Sequence, residues 1–208
     1  SYGLSINPVD GSIWFAAPGV GTSRPAEDGI PGRILRLDIG DNPPESCRTE
    51  VYEPPFGENS LNLNAYTPRG IDVDRNGIIW TALAGSGHLA SFDRSKCEVL
   101  VGPTATGQHC LEGWTLYKTP GPRFKGAPDN TNADFHYYNW VDQFDTLGLG
   151  ENVPIANGTG SDSLLALLPT TGDWLTLRVP YPLGFYSRGM DGRIDDAEAG
   201  WKGRGVYA

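Results

Sequence analysis

Two stretches of the chain carry the same order of apolar and polar positions. Residues 1–19 read SYGLSINPVDGSIWFAAPG and residues 67–85 read TPRGIDVDRNGIIWTALAG. In each, a short alternation runs into a turn and emerges as a second strand with a tryptophan in it. Asp10-Gly11 and Asn76-Gly77 are the turn pairs, and both accept the positive φ that a two-residue hairpin turn demands. Trp14 and Trp80 follow those turns at the same offset. A third alternation comes next, in PGRILRLDIG (31–40), SGHLASFDRS (86–95) and GSDSLLALLPTTGDW (160–174). A fourth follows in TEVYEPP (49–55), CEVLVGP (97–103) and WLTLRVPYP (174–182).

Four antiparallel strands and a proline-marked crossing to the next inner strand make the blade of a β-propeller. The pattern therefore predicts an all-β chain of four-stranded antiparallel blades, about three of them plus a fragment. Blade 1 covers about 1–55 and blade 2 about 66–103. A long insertion fills 104–133, and blade 3 covers about 134–182, with VDQFDTLGLG as its innermost hairpin. The start of a next blade occupies 183–208, where Val206-Tyr207 takes the place of Ile79-Trp80. Propellers close with four to eight blades. An open arc leaves strand edges and sheet faces bare, so the expected partners are further blades, from another chain or from a missing part of this one.

Composition agrees with short strands and tight turns. The chain has 28 Gly and 17 Pro, a single Met, and 20% charged residues. Its formal net charge of −9 opposes a nucleic-acid partner, whose phosphates need the reverse bias. No apolar run is long enough for a membrane-spanning helix. The sequence starts at Ser1 without an apolar leader and reads as processed, trimmed or part of a longer chain. Cys97 and Cys110 can close a short disulfide loop, which leaves Cys47 with an outside partner or as a free thiol. The expected setting is secreted or periplasmic. Asn157-Gly158-Thr159 is a glycosylation sequon.

The run P-x-G-I-x-V-D-x-x-G-x-I-W at 68–80 resembles the repeat of streptogramin B lyase-like propellers, and is similar to repeats of NHL and gluconolactonase-like propellers. In the lyase family the blade-start motif often reads Pro-His-Gly, with a channel-facing histidine that acts as a base beside a magnesium ion. Here the matching positions are Tyr2, Arg69 and Arg188, so the resemblance implies the fold and supplies no catalytic histidine at those places.

Arg69 and Arg188 begin inner strands and can converge near the axis. There they either hold an oxyanion through forked hydrogen bonds or pair with Asp72 and Asp191. ADFHYYNWVDQFD (133–145) is the densest polar–aromatic stretch. As a strand it places His136, Tyr138, Trp140 and Asp142 on one face. His136 with Asp142 then makes a base and its orienter, or two ligands of a divalent cation such as Mg or Ca. Tyr138 and Trp140 suit a small-molecule or carbohydrate ligand; the alternative is an amphipathic strand that fills space between blades. His109 beside Cys110, and His88, are weaker candidates. Asp191, Asp195, Asp196 and Glu198 form an acidic turn that departs from a calcium loop, with Arg193 at the third ligand position. No G-x-S-x-G, H-E-x-x-H or Walker pattern occurs.

Two functions follow. One is a secreted propeller segment that serves as a ligand-binding or assembly module completed by further blades. The other is a metal-assisted propeller lyase or hydrolase acting on a lactone, ester or carbohydrate-like substrate. In that reading His136 is the base, Asp142 its orienter or metal ligand, and Arg69 and Arg188 the anion clamps.

Overall fold

The computed structural model describes residues 2–19, 31–57, 64–126, 132–185, 187, 189–193, 200 and 205–208. Strands β1 (Gly3–Ile6), β2 (Ile13–Ala17), β3 (Arg33–Asp38) and β4 (Arg48–Tyr52) form one antiparallel sheet in chain order. A second sheet holds β5 (Pro68–Val73), β6 (Ile79–Leu83), β7 (His88–Phe92) and β8 (Trp114–Lys118). The third holds β9 (Asn139–Asp142), β10 (Val153–Gly158), β11 (Ser163–Leu168) and β12 (Asp173–Arg178). A hairpin of β13 (Asp191–Arg193) and β14 (Gly205–Tyr207) follows. The innermost strands β1, β5, β9 and β13 lie side by side in that order, as in an arc around an axis. The arc is not closed.

Each blade buries apolar side chains against the next. Trp14, Ile34 and Tyr52 of the first pack on Val73, Ile79 and Phe92 of the second. Trp80, Leu89 and Tyr117 of the second meet Val141, Ala156 and Leu167 of the third. The forward face of the third, with Trp140, Ile155 and Ala166, takes Met190. A middle blade is covered on both sides, and β6 accordingly reads IWTAL and is buried at every position. The corresponding β2 alternates between half-buried and buried.

Two expectations change. The inner hairpins are longer than two-residue turns. Asn7 N–H bonds Ser12 O around 8–11, and Asp74 N–H bonds Ile78 O around 75–77. Gly11 and Gly77 still supply the positive φ, at 69° and 84°, as the last residue of a longer hairpin loop requires. The outer strand of the second blade is β8, within the stretch expected to be an insertion, and not 97–103. Trp114 and Leu116 reach the core around Phe92, whereas Val101 is exposed and Gly102 has φ 110°. The intervening chain is pinned by the expected Cys97–Cys110 disulfide. Cys47 is free and exposed.

A charged lock ties the outer parts of the first two blades. Arg36, buried, bonds Glu50 at 3.2 Å, Asp10 at 3.0 Å and Asp38 at 3.3 Å. Arg94, from the loop after β7, grips both oxygens of Glu50 at 2.6 Å. Tyr52 donates to Glu50 at 2.7 Å. Burial alone would raise the Glu50 carboxyl, but the Arg94 and Tyr52 hydrogen bonds and the two guanidinium charges hold it below its ordinary range. Among the described residues no helix is long and apolar enough to cross a membrane.

Candidate functional site

The axial end of the blades is built from the start of each inner strand. Ser5, Asp72 and Trp140 occupy equivalent places, opposite Trp14, Trp80 and Ile155. Three residues before them stand Tyr2, Arg69 and Tyr137, and these equivalent side chains converge. The Arg69 guanidinium lies 4.1 Å from the centre of the Tyr2 ring, 4.9 Å from Tyr137 and 5.0 Å from Phe135. Tyr138 closes the group by donating its hydroxyl to Tyr2 O at 2.9 Å. Close approach of the inner strands requires glycine after the first two of these positions. A Cβ on Gly3 would stand 2.9 Å from Arg69 O, and one on Gly70 would run into Asn139 N and Tyr138 Cα.

Asp72 does not pair with Arg69. Its carboxylate joins three inner strands instead, taking Ser5 Oγ at 2.8 Å, Val73 N at 2.9 Å and Val141 N at 2.7 Å. Burial, with the Asp191 charge adding to it, raises this carboxyl above its ordinary value against the pull of those donors. Arg188 lies outside the described residues, as do Asp195, Asp196 and Glu198.

His136 and Asp142 are not brought together. His136 is fully buried, with Nδ1 2.7 Å from Asn157 O and Nε2 2.9 Å from Thr119 Oγ1. A carbonyl accepts only, so Nδ1 carries the proton. Thr119 Oγ1 also lies 3.0 Å from Gly87 O and accepts from Asn132 Nδ2 at 2.7 Å, so its single proton serves either that carbonyl or Nε2. Burial lowers the His136 pKa, and the ring is neutral at pH 7. Asp142 sits opposite Val153 and receives Thr146 N at 2.8 Å and Leu147 N at 2.9 Å. Val153 and Asn157 are four residues apart on β10, so the two side chains attach to places about 13 Å apart along the strand. The strand expected over 133–145 begins only at Asn139, because Tyr138 N instead bonds the Asn157 side chain. Trp140 points forward and packs against Gly192. Among the described residues no three His, Cys, Asp or Glu side chains gather to hold a metal ion.

The remaining candidates have structural partners. His109 stacks on Tyr52 at 5.2 Å between ring centres, and its neighbour Cys110 is in the disulfide. His88 Nδ1 meets Ser86 Oγ at 3.0 Å. Burial, with the charges of Lys118, His136 and Arg123 added, lowers the His88 pKa to about 4. The sequon asparagine, Asn157, is buried, and its amide is held by Tyr138 N and Ser187 O. Of the aromatic members around Arg69, the sequence singles out Tyr138 as a ligand contact but not Tyr2, Phe135 or Tyr137. Tyr2 and Tyr137 share the strand-start position of Arg69, and that shared offset was the available signal.

The ring order of three four-stranded sheets decides the architecture. The chain is a β-propeller segment. No protein-family model and no curated protein matches it. Among solved structures it is similar to a selenomethionine-substituted virginiamycin B lyase from Staphylococcus aureus. The identity is 14% and the TM-score 0.49, over 86% of this chain and 41% of that one. A streptogramin B lyase structure gives 14% identity and TM-score 0.49, over 86% of this chain and 40% of that one. A catalytically inactive virginiamycin B lyase from Staphylococcus aureus with quinupristin gives 13% and 0.45, over 87% and 56%. The segment thus spans between 40% and 56% of the length of these lyases.

Proposed function

We propose that this chain is an assembly module of a larger β-propeller, completed by further blades, with its axial end free to take a small-molecule or carbohydrate ligand. The observation that carries this reading is the outer face of the first blade. Ile6, Ile13 and Leu37 stand abreast across β1, β2 and β3, in the places that Val73, Ile79 and Phe92 hold across β5, β6 and β7. The second trio is buried beneath the first blade. In the first, Ile6 is 61% exposed, and Leu4 beside it 58%. Phe15, Leu35 and Val51 extend the same apolar face. Covering the exposed parts of Leu4 and Ile6 alone is worth about 2–4 kcal/mol, so a further blade seated there gains in the same way as the second blade gains from the first. The disulfide supports a secreted or periplasmic setting, where such bonds persist.

Light scattering on the purified chain tests the reading. The expected result is self-association, or retention of a partner, that is lost when Leu4 and Ile6 are both changed to Lys. A monodisperse species at the chain mass of 22.4 kDa, binding no hydrophobic dye and melting cooperatively, overturns it.

A further inference from the structure

We propose that Arg69 is the receptor for a carboxylate carried on an aromatic or apolar body, a site that goes beyond the assembly reading and does not rest on it. Among the described residues, the two most deeply buried arginines are treated in opposite ways. Arg36, 6% exposed, is surrounded by Asp10, Asp38 and Glu50. Arg69, 9% exposed, has no carboxylate and no hydrogen-bond acceptor among the described residues; Nε is buried without a partner in both arginines, so the difference lies at the terminal nitrogens, which Arg36 gives to carboxylates. This occurs in a chain of net charge −9, where acids are plentiful. The nearest acid on its own strand, Asp72, is committed to Ser5, Val73 and Val141. An enclosed cation that finds no counterion among the described residues is costly, and the arrangement is one that a bound anion completes.

The geometry also gives the class of anion. A guanidinium stacked on ring faces keeps its N–H bonds in its own plane, directed away from those rings. Nε is covered, so the two terminal nitrogens form the available fork, which matches the two oxygens of a carboxylate. Tyr2, Phe135 and Tyr137, whose rings lie against the guanidinium, and Tyr138 next to them are all half-buried, so aromatic surface stays open around Arg69. That surface suits a flat apolar body and gives nothing to a fully hydrated inorganic ion.

The probes are benzoate, acetate, benzamide and inorganic phosphate, added to the chain while its arginine Nε–Hε resonances are followed by NMR. The Arg69 signal is identified by its disappearance in Arg69→Lys. Benzoate is expected to shift that signal saturably and acetate more weakly, with benzamide and phosphate leaving it in place. In Arg69→Met benzoate binding falls roughly 10- to 100-fold, the worth of a charge-assisted hydrogen-bonded pair; Arg69→Lys retains part of it. An Arg69 signal that benzoate leaves unmoved, or that benzamide or phosphate shifts as strongly as benzoate, overturns the assignment. Because the wild-type titration decides on its own, misfolding of a variant does not protect the proposal. The assembly reading stands or falls separately, on light scattering.

Discussion

Acid should loosen this protein before its carboxylates in the ordinary range titrate, and His88 allows the size of the effect to be worked out. The imidazole is enclosed beside Lys118 and near His136 and Arg123, and its pKa falls from 6.5 to about 4. A histidine with a lowered folded pKa binds its proton more readily in the unfolded chain. Its neutral form therefore stabilises the fold fully above about pH 6.5, and that contribution is lost as the pH falls from there to about 4. A tenfold difference in proton affinity between the folded and unfolded chains is worth about 1.4 kcal/mol. Linkage then puts the loss at about 2 kcal/mol between pH 7 and 5, and about 3 kcal/mol by pH 4. For a chain of this size, 2 kcal/mol corresponds to a fall in Tm of about 4–8 °C. His136, also lowered by burial, acts in the same direction. Asp72 and Glu53, both raised by burial, act in the opposite one, so the comparison must be made against a variant. The assay is urea unfolding at pH 7, 6 and 5 for the wild type and for His88→Gln, which keeps a polar group near Ser86. The variant is expected to lose less stability between pH 7 and 5 by about 2 kcal/mol. Equal pH slopes for the two proteins would refute the reasoning, because they would mean that the ring titrates alike in folded and unfolded chains.

Other outcomes follow from particular contacts. Glu50→Gln removes the carboxylate shared by Arg36 and Arg94, of which Arg36 keeps Asp10 and Asp38 and Arg94 is partly exposed; it should cost about 1–3 kcal/mol in denaturant unfolding, and no measurable change would show that the lock adds nothing to stability. Gly70→Ala drives a methyl into the backbone of Tyr138 and Asn139. It should lower stability by about 1–3 kcal/mol, read as a lower Tm, whereas an unchanged Tm would mean that the inner strands can separate freely. Replacing Cys97 and Cys110 together by Ser should cost about 3 kcal/mol for so short a loop, measured as a shift in urea midpoint. Secretion from a eukaryotic host should leave the intact mass without a glycan at Asn157, whose amide is buried and bonded on both sides; a glycan mass there would show that β10 forms only after modification.

The propeller blades were legible in the sequence because the signal is local. Alternation, a turn glycine and a tryptophan at fixed offset specify a hairpin without reference to the rest of the chain, and repetition of the hairpin specifies a blade. The Cys97–Cys110 bridge was legible for the same reason. Partnerships across blades were not. Whether 97–103 or 114–118 became the outer strand depended on which could bury aromatic surface against Phe92, and both alternate acceptably on paper. His136 and Asp142 were placed on one strand face by two-residue alternation, but the strand begins after His136, and the two groups meet opposite ends of β10. Arg69 read first as the partner of Asp72 and second as an anion clamp. Only packing decided that Asp72 would staple three inner strands and leave the guanidinium among Tyr2, Phe135 and Tyr137. The physical reason is common to all three cases: periodicity fixes which face a side chain occupies, while the identity of its partner depends on the sequence-distant strands that pack against that face.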